Sequence, residues 1–283
     1  MGYTTADGAR RRPTVPAILL CACLTGASAL GGCAAARNYD DPIGPVLTGR
    51  TLAAPVAASA LRIVTFNLKF GKHVDAAAEL LAGAGPLSRA DVLLLQEMDE
   101  PATLRLAQTL GVNYAYVPSA VHPSTRRDLG VAILSPWPIQ DAAKVLLPHR
   151  HRWRKMRRSA ARATLETGIG PVRVYAVHLE TAFGLSGRGR REQAAAVLRD
   201  AADWNGPIVI AGDFNGAAGA RTMAASGFAW LTRDVRNTSG PFDLDHILVR
   251  GLCPAGGPPA AKARADGISD HQPVWAVVRP CAS

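Results

Sequence analysis

The sequence predicts an α/β protein, and three observations carry that expectation. Short apolar runs rich in β-branched residues, too brief for helices, alternate with Ala- and Leu-rich stretches at helical spacing. Most of these runs end in one or two polar side chains, so polar groups collect at strand ends, where a site would lie. The 283 residues are 48% hydrophobic, ample for the core of one large domain or two small ones. No repeat is visible, and beyond residue 60 no change in composition marks a second domain.

The first stretch reads as a leader. Arg10, Arg11 and Arg12 form a positive segment ahead of the uncharged run Val15 to Leu30, which is too short for a comfortable membrane span. Small residues, Gly31 and Gly32, then stand directly before Cys33. That pattern resembles the lipobox of bacterial lipoproteins, with a plain secretory signal as the alternative. The expectation is a signal peptide over 1–32, lipidation at Cys33, and an exported protein anchored in the cell envelope. Losing three arginines and Asp7 with that segment leaves 29 basic and 21 acidic residues, a net charge of +8. Cys21 and Cys23 leave too, so only Cys253 and Cys281 remain beside the lipid candidate. In an exported chain such a pair favours a disulfide. Residues 33–60, rich in Asp, Pro, Gly and Ala without a sustained period, read as a flexible tether. The catalytic domain is expected over 61–283.

LRIVTFNL opens that domain as a strand ending in Asn67. Val74 to Ala84 has helical spacing, and ADVLLLQEMD is a buried strand running into Gln96 and Glu97. A carboxylate behind such a run must find a partner or a metal. A helix follows at Ala102 to Leu110, then the β-like runs NYAYVPS and GVAILSPWPI, and a further strand over 142–148. Six Arg and Lys fall within the nine residues Arg150 to Arg158, with Trp153 among them. Charge runs are usually solvated faces; this one is dense and aromatic, and suits an anionic polymer or an anionic bilayer. Arg154, Lys155, Arg157 and Arg158 are its candidate substrate-binding residues.

PVRVYAVHLET alternates into His178, and Arg190 to Trp204 has helical spacing. IVIAGDFNG, from Ile208 to Gly216, is then a buried strand expected to stop at Gly212 and to present Asp213 and Asn215 on one face, with Phe214 on the other. Alone it could be an ordinary turn. FDLDHILVR places Asp243, Asp245 and His246 at the head of a strand, and Ser269-Asp270-His271 precedes the last one, QPVWAVV. Carboxylates, two His and two Asn gathered in this way suggest a hard-cation site beside a phosphate. Oxygen donors without thiolates favour Mg²⁺ or Mn²⁺ over zinc.

TFNL, LLLQEMD, VHLE, GDFN, DLDHILV and SDHQPV, in that order, resemble the endonuclease/exonuclease/phosphatase superfamily. Its members include deoxyribonuclease I-like enzymes and neutral sphingomyelinases. The resemblance spans Leu61 to Val278. It implies a four-layer α-β-β-α sandwich, two mixed sheets face to face with helices outside, and metal-dependent hydrolysis of a phosphate ester. It makes Glu97 the principal Mg²⁺ ligand, with Asn67 and Asp270 near the metal. Asp213 and Asn215 would orient water and phosphate, and Asp245 would orient a histidine. His271 and His178 would share the proton chemistry, either of them taking the proton. Where the family often carries Gly-Asn-Ala-Ile-Leu-Ser, this chain has Val131 after Gly130, so one phosphate contact is lost.

Three function classes compete. A cell-envelope phosphodiesterase acting on DNA or RNA is favoured by the basic run and net charge. A lipid-headgroup phosphodiesterase of the sphingomyelinase kind would need a projecting apolar hairpin near the site. A binding protein that has lost catalysis would have shed some of the acid and histidine set. No protein partner is inferred, and a monomer is expected. Because Asp245 and His271 both head strands that leave the site, Cys253 and Cys281 should arrive together at the far end of the sandwich.

Overall fold

The computed structural model describes residues 36–50 and 58–281. The expected signal segment and Cys33 lie outside the described residues. The chain forms strands β1 (Arg37–Asn38), β2 (Leu47–Gly49) and β3 (Leu61–Asn67), helix α1 (Val74–Ala82), β4 (Val92–Met98) and helix α2 (Glu100–Leu110). Then come β5 (Asn113–Val121), β6 (Asp128–Ser135), β7 (Ile139–Arg150), β8 (Arg157–Thr167) and β9 (Gly170–His178). The remainder is helix α3 (Gly187–Asp200), β10 (Ile208–Asp213), helix α4 (Ala217–Ala225), β11 (Ala229–Trp230), β12 (Asp245–Arg250), β13 (Leu252–Pro254), β14 (Ala261–Lys262) and β15 (Val274–Pro280).

The strands make two mixed sheets. One runs β1-β5-β6-β4-β3-β15-β13, with β2 on β5 and β14 on β15; the other runs β11-β12-β10-β9-β8-β7. In the described strands the only parallel pairs are β3–β4 and β9–β10, each joined by a crossover helix, α1 and α3. Side-chain parity then builds the layers. Ile63, Leu94, Val174, Val209, Ile247 and Ala276 face the seam between the sheets and form one core. Val64, Phe66, Leu93 and Leu95 pack outward against α1 and α2, whereas Ile210, Leu248 and Tyr175 pack against α3 and α4. The result is the expected four-layer α-β-β-α sandwich. Asp99 caps α2, accepting from Ala102 N at 3.0 Å, and Gly111 ends it in the left-handed conformation.

Several local expectations need correction. Residues 36–50 are not a free tether: β1 and β2 both pair antiparallel with β5. Asn38 accepts from Arg157 N and donates to Lys155 O, and the buried Lys144 ammonium is held by the carbonyls of Tyr39, Asp41 and Gly44. Strands of two or three residues are too short to leave a period in the sequence, which is why composition alone suggested a linker. Pro136 and Pro138 split GVAILSPWPI between β6 and β7, since proline cannot donate to a ladder. Gly212 does not end its strand. It pairs with Val177 and His246 inside the sheet, at φ +152°, where any Cβ would overlap the carbonyl of Val177. Helix α4, directly after GDFNG, went unrecognised because its Ala- and Gly-rich run has little apolar contrast.

Cys253 and Cys281 are joined by a disulfide with Cα atoms 5.0 Å apart. The route to it differs from two strands leaving the site side by side. β12 lies in the second sheet; the chain turns at Gly251 (φ +73°) and enters the first sheet as β13, antiparallel to β15, with Cys253 opposite Arg279.

Candidate active site

Parity and register assemble the site. Because Leu61 and Ile63 face the seam, so does Asn67; Val174 and Ala176 carry His178 the same way, Val209 and Ala211 carry Asp213, and Ile247 and Val249 carry Asp245. Parallel pairing sets Asp213 beside His178, and antiparallel pairing sets it beside Asp245. In the other sheet the head of β15 lies against the end of β3, with Val274 opposite Thr65, which brings His271 to Asn67. Ser269 secures that junction: its Oγ donates to Asn67 O at 2.7 Å and accepts from His271 N at 3.2 Å.

Glu97 is the exception to parity. Leu93 and Leu95 face the helices, so regular alternation would send Glu97 there too. A β-bulge between Gln96 and Met98, with Glu97 at φ +54°, breaks the alternation and turns the carboxyl toward Asn67, Arg158 and His271. Partial burial raises its pKa, against the lowering pull of Arg158 and His271.

The centre of the site is one oxygen. Asp213 Oδ2 accepts from Asn67 Nδ2 at 3.1 Å and lies 3.4 Å from His178 Nε2 and 3.8 Å from His271 Nε2. Its other oxygen accepts from Asn215 N at 2.8 Å. Burial and the neighbouring Asp245 raise the Asp213 pKa. The two histidines are held in opposite states. Arg158 donates to His178 Nδ1 at 3.1 Å, and an arginine can only donate, so the ring proton of His178 sits on Nε2. Burial, with Arg158 and His271 adding to it, depresses the His178 pKa well below the usual imidazole range. For His271 burial also works to lower the pKa, yet the hydrogen bond to Asp245 Oδ2 at 2.8 Å and the charges of Asp245, Asp213 and Asp270 raise it to about 9. His178 is therefore neutral and His271 an imidazolium.

Of the residues singled out from sequence, Asn67, Glu97, His178, Asp213, Asp245 and His271 come together. Asn215 does not share a strand face with Asp213. It lies beyond the strand at φ +50° in a turn closed on Asp213 Oδ1, and its Nδ2 donates to Leu179 O at 2.9 Å. Asp270 stands at the rim, half exposed and paired with Lys69 at 3.2 Å. The basic run also needs correction. Arg157 is committed to Leu147 O and Asp40, and Arg158 is buried inside the site; only Arg154 and Lys155 of the four remain toward the hairpin tip. Glu180, fully buried against Arg158 at 3.4 Å and accepting from Thr181 N, was missed although it directly follows the His178-Leu179 pair.

Whether these residues fit a divalent cation can be tested on the donor set. Among the described residues no three His, Cys, Asp or Glu side chains form a ready cage, and no ion pair reaches Glu97. The donors on offer are the Glu97 carboxylate, Asn67 Oδ1, which takes only Lys69 N at 3.0 Å, and Asp270. An open set of one or two carboxylates and an amide oxygen fits a hard cation that keeps waters and binds substrate phosphate.

The family model described as the endonuclease/exonuclease/phosphatase family matches residues 64–271. Among solved structures, the chain is similar to an endonuclease/exonuclease/phosphatase from Beutenbergia cavernae at 22% identity, with 79% of this chain and 72% of that one covered and a TM-score of 0.61. A family protein from Bacteroides vulgatus gives 15% identity, 79% and 100% coverage and a TM-score of 0.63. The human Nocturnin catalytic domain, solved with a bound sulfate, gives 17%, 84% and 97%, and 0.59. At these identities the likeness is one of fold. No curated protein sequence matches the chain significantly. With its family match running from β3 to the histidine at the head of the last strand, the chain belongs to the endonuclease/exonuclease/phosphatase family, hydrolases of phosphate esters and phosphodiesters.

Proposed function

We propose that this protein is an exported, metal-dependent phosphodiesterase acting on nucleic acid. The observation that carries the reading is Asp213 Oδ2, surrounded by Asn67 Nδ2, His178 Nε2 and His271 Nε2 from strands of both sheets. A carboxylate whose pKa burial has raised is a fit acceptor for the proton of an attacking water. The N–H groups around it are placed to receive phosphate oxygens as charge builds on them. His271, kept charged by Asp245, stabilises that charge; His178, neutral with its proton on Nε2, donates toward the leaving oxygen. Arg158 sets the His178 tautomer, and Glu180 holds Arg158. When bound, Mg²⁺ or Mn²⁺ held by Glu97 with Asn67 and Asp270 supplies neutralisation of the phosphate and of the leaving group. The full acid and histidine set argues against a lapsed enzyme. A leader ending in Cys33 supports lipid anchoring in the envelope; among the described residues no helix is long and apolar enough to cross a membrane.

For the substrate, the outward cations Arg152, Arg154 and Lys155 and the net charge of +8 beyond the leader support nucleic acid. One observation favours a lipid headgroup instead. The tip of the β7–β8 hairpin exposes Trp153, with Arg152 stacked 4.5 Å above its ring, and the adjacent turn exposes Phe183; Arg152 N donates to Gly184 O to hold the two turns together. Assays on DNA, RNA, sphingomyelin vesicles and a generic diester, with EDTA or Mg²⁺, separate these readings. EDTA should abolish turnover and Mg²⁺ restore it, and Glu97→Ala should lose at least ~10²-fold in rate. Full activity in chelator would sink the metal assignment, and preference for sphingomyelin over DNA would move the substrate to the second reading.

A further inference from the structure

On the helix side of the second sheet, between α4 and the β11–β12 edge, lies a cavity of about 710 Å³. Three arginines line it, Arg221, Arg233 and Arg236, against one acid, Asp243. Arg236 is paired with Asp243 at 2.8 Å, but among the described residues Arg221 and Arg233 have no hydrogen-bond or ion-pair partner. His246 also lines the cavity. It is 2% exposed and faces the helix side because Asp245, its neighbour on β12, faces the seam.

The hydrogen bonds of His246 fix where its proton is. The indole Nε1 of Trp230 can only donate, and it lies 3.2 Å from Thr232 Oγ1 and 3.3 Å from His246 Nδ1; Thr232 Oγ1, which accepts from Ile247 N, keeps its own hydroxyl hydrogen to donate to the same Nδ1 at 3.4 Å. Nδ1 is thus the acceptor and Nε2 carries the hydrogen. That Nε2 is buried with no partner among the described residues. A buried N–H without an acceptor loses its hydration with nothing in return, and native structures seldom leave one unless a ligand or ion completes it. The one orphan donor of the cavity and its two free arginines call for the same thing, an acceptor with negative charge.

We propose that this cavity is a phosphate-type oxyanion site, bound by Arg221 and Arg233, with Trp230 as its wall and His246 Nε2, sealed in that wall, as the donor that binding uncovers. It is separate from the catalytic centre and does not depend on which ester the enzyme cuts. It is also near that centre along the chain. Ala217, on its lining, is four residues from Asp213, a reach of at most about 14 Å. A phosphate there could be a free ion or a phosphate of the substrate's own flanking chain.

The test is a titration of the full folded protein with inorganic phosphate, followed by the NMR signals of the His246 Nε2–H and of the Trp230 indole that abuts it. Both should shift saturably, and the shifts should persist in His271→Ala, where the catalytic centre is crippled. Arg221→Glu with Arg233→Glu should raise the Kd at least about tenfold, the scale of one lost charge-assisted hydrogen bond. Both side chains are exposed and unpaired, so an unchanged melting temperature should accompany that loss. Signals that stay still, or shifts that survive the double substitution, would overturn the proposal. Single-stranded oligonucleotides of increasing length then separate the sources. Affinity that grows with a few added nucleotides, and only with the arginines present, assigns the phosphate to substrate; affinity equal to that of inorganic phosphate at every length assigns it to the free ion.

Discussion

Replacing Arg158 with Met removes both the donor on His178 Nδ1 and the cation beside Glu180. His178 is then free to place its proton on either nitrogen, and a carboxylate with 1% exposure is left unpaired. Breaking a buried pair from one side costs roughly 3–5 kcal/mol. We therefore expect Arg158→Met to lose most of its activity and to unfold at markedly lower urea, while Arg158→Met with Glu180→Gln recovers the stability and not the rate. Recovery of both would show that Arg158 acts only through packing. His246 gives a second expectation at this scale. Burial lowers its pKa from 6.5 to about 4, only slightly offset by Asp243. In the unfolded chain the imidazole binds a proton below about 6.5; in the folded protein it resists until about 4. Its contribution is thus complete above pH 6.5 and lost as the pH falls toward 4, on the order of 3 kcal/mol across that window. Urea titrations from pH 7.5 to 4 should show the decline, and His246→Gln should flatten it; an unchanged slope would place the acid sensitivity elsewhere.

Among the elements, the legible ones were those whose pattern carries its own period. β3, β4, β9 and β10 could be read because each is an apolar run closed by a polar residue, and β15 because it alternates behind Ser269-Asp270-His271; the same rule put Asn67, His178 and Asp213 in the site. What could not be read was set by partners distant in sequence. β1 and β2 exist because β5 offers an edge, and nothing in Arg37-Asn38 or Leu47-Thr48-Gly49 announces it. Nor does the sequence disclose the bulge that re-aims Glu97, since a Gln-Glu-Met triplet in extended alternation would look the same. The basic run misled because its charges are sorted by the fold: Arg158 inward, Arg157 and Arg150 onto Asp40, and Arg152 and Arg154 outward. That sorting is stitched by Asn38, which bonds to Arg157 N and Lys155 O at 2.7 and 2.9 Å. Asn38→Ala should cost about 1 kcal/mol for the lost hydrogen bonds and expose the hairpin tip to trypsin at Arg154 and Lys155. Equal cleavage rates in the two proteins would mean that the strap does not hold the hairpin.

At the scale of the whole molecule, the site belongs to neither sheet. Asn67, Glu97 and His271 come from one, and His178, Asp213 and Asp245 from the other. The Cys253–Cys281 bridge closes a loop of 28 residues that runs from β13 through β14 to the end of β15. In the chain-entropy model such a loop is worth about 3.5 kcal/mol. Reduction with the fold intact should lower the unfolding midpoint accordingly, as a urea titration with and without reductant would record; identical curves would show the bridge to be stability-neutral. The divided site adds a consequence. The seam between the sheets is packed by side chains, which can slip by a fraction of an ångström at little cost, while the ladders within each sheet stay whole. Catalysis then works as a vernier on that alignment: turnover should fade in the reduced protein at denaturant concentrations where circular dichroism still reports every strand in place.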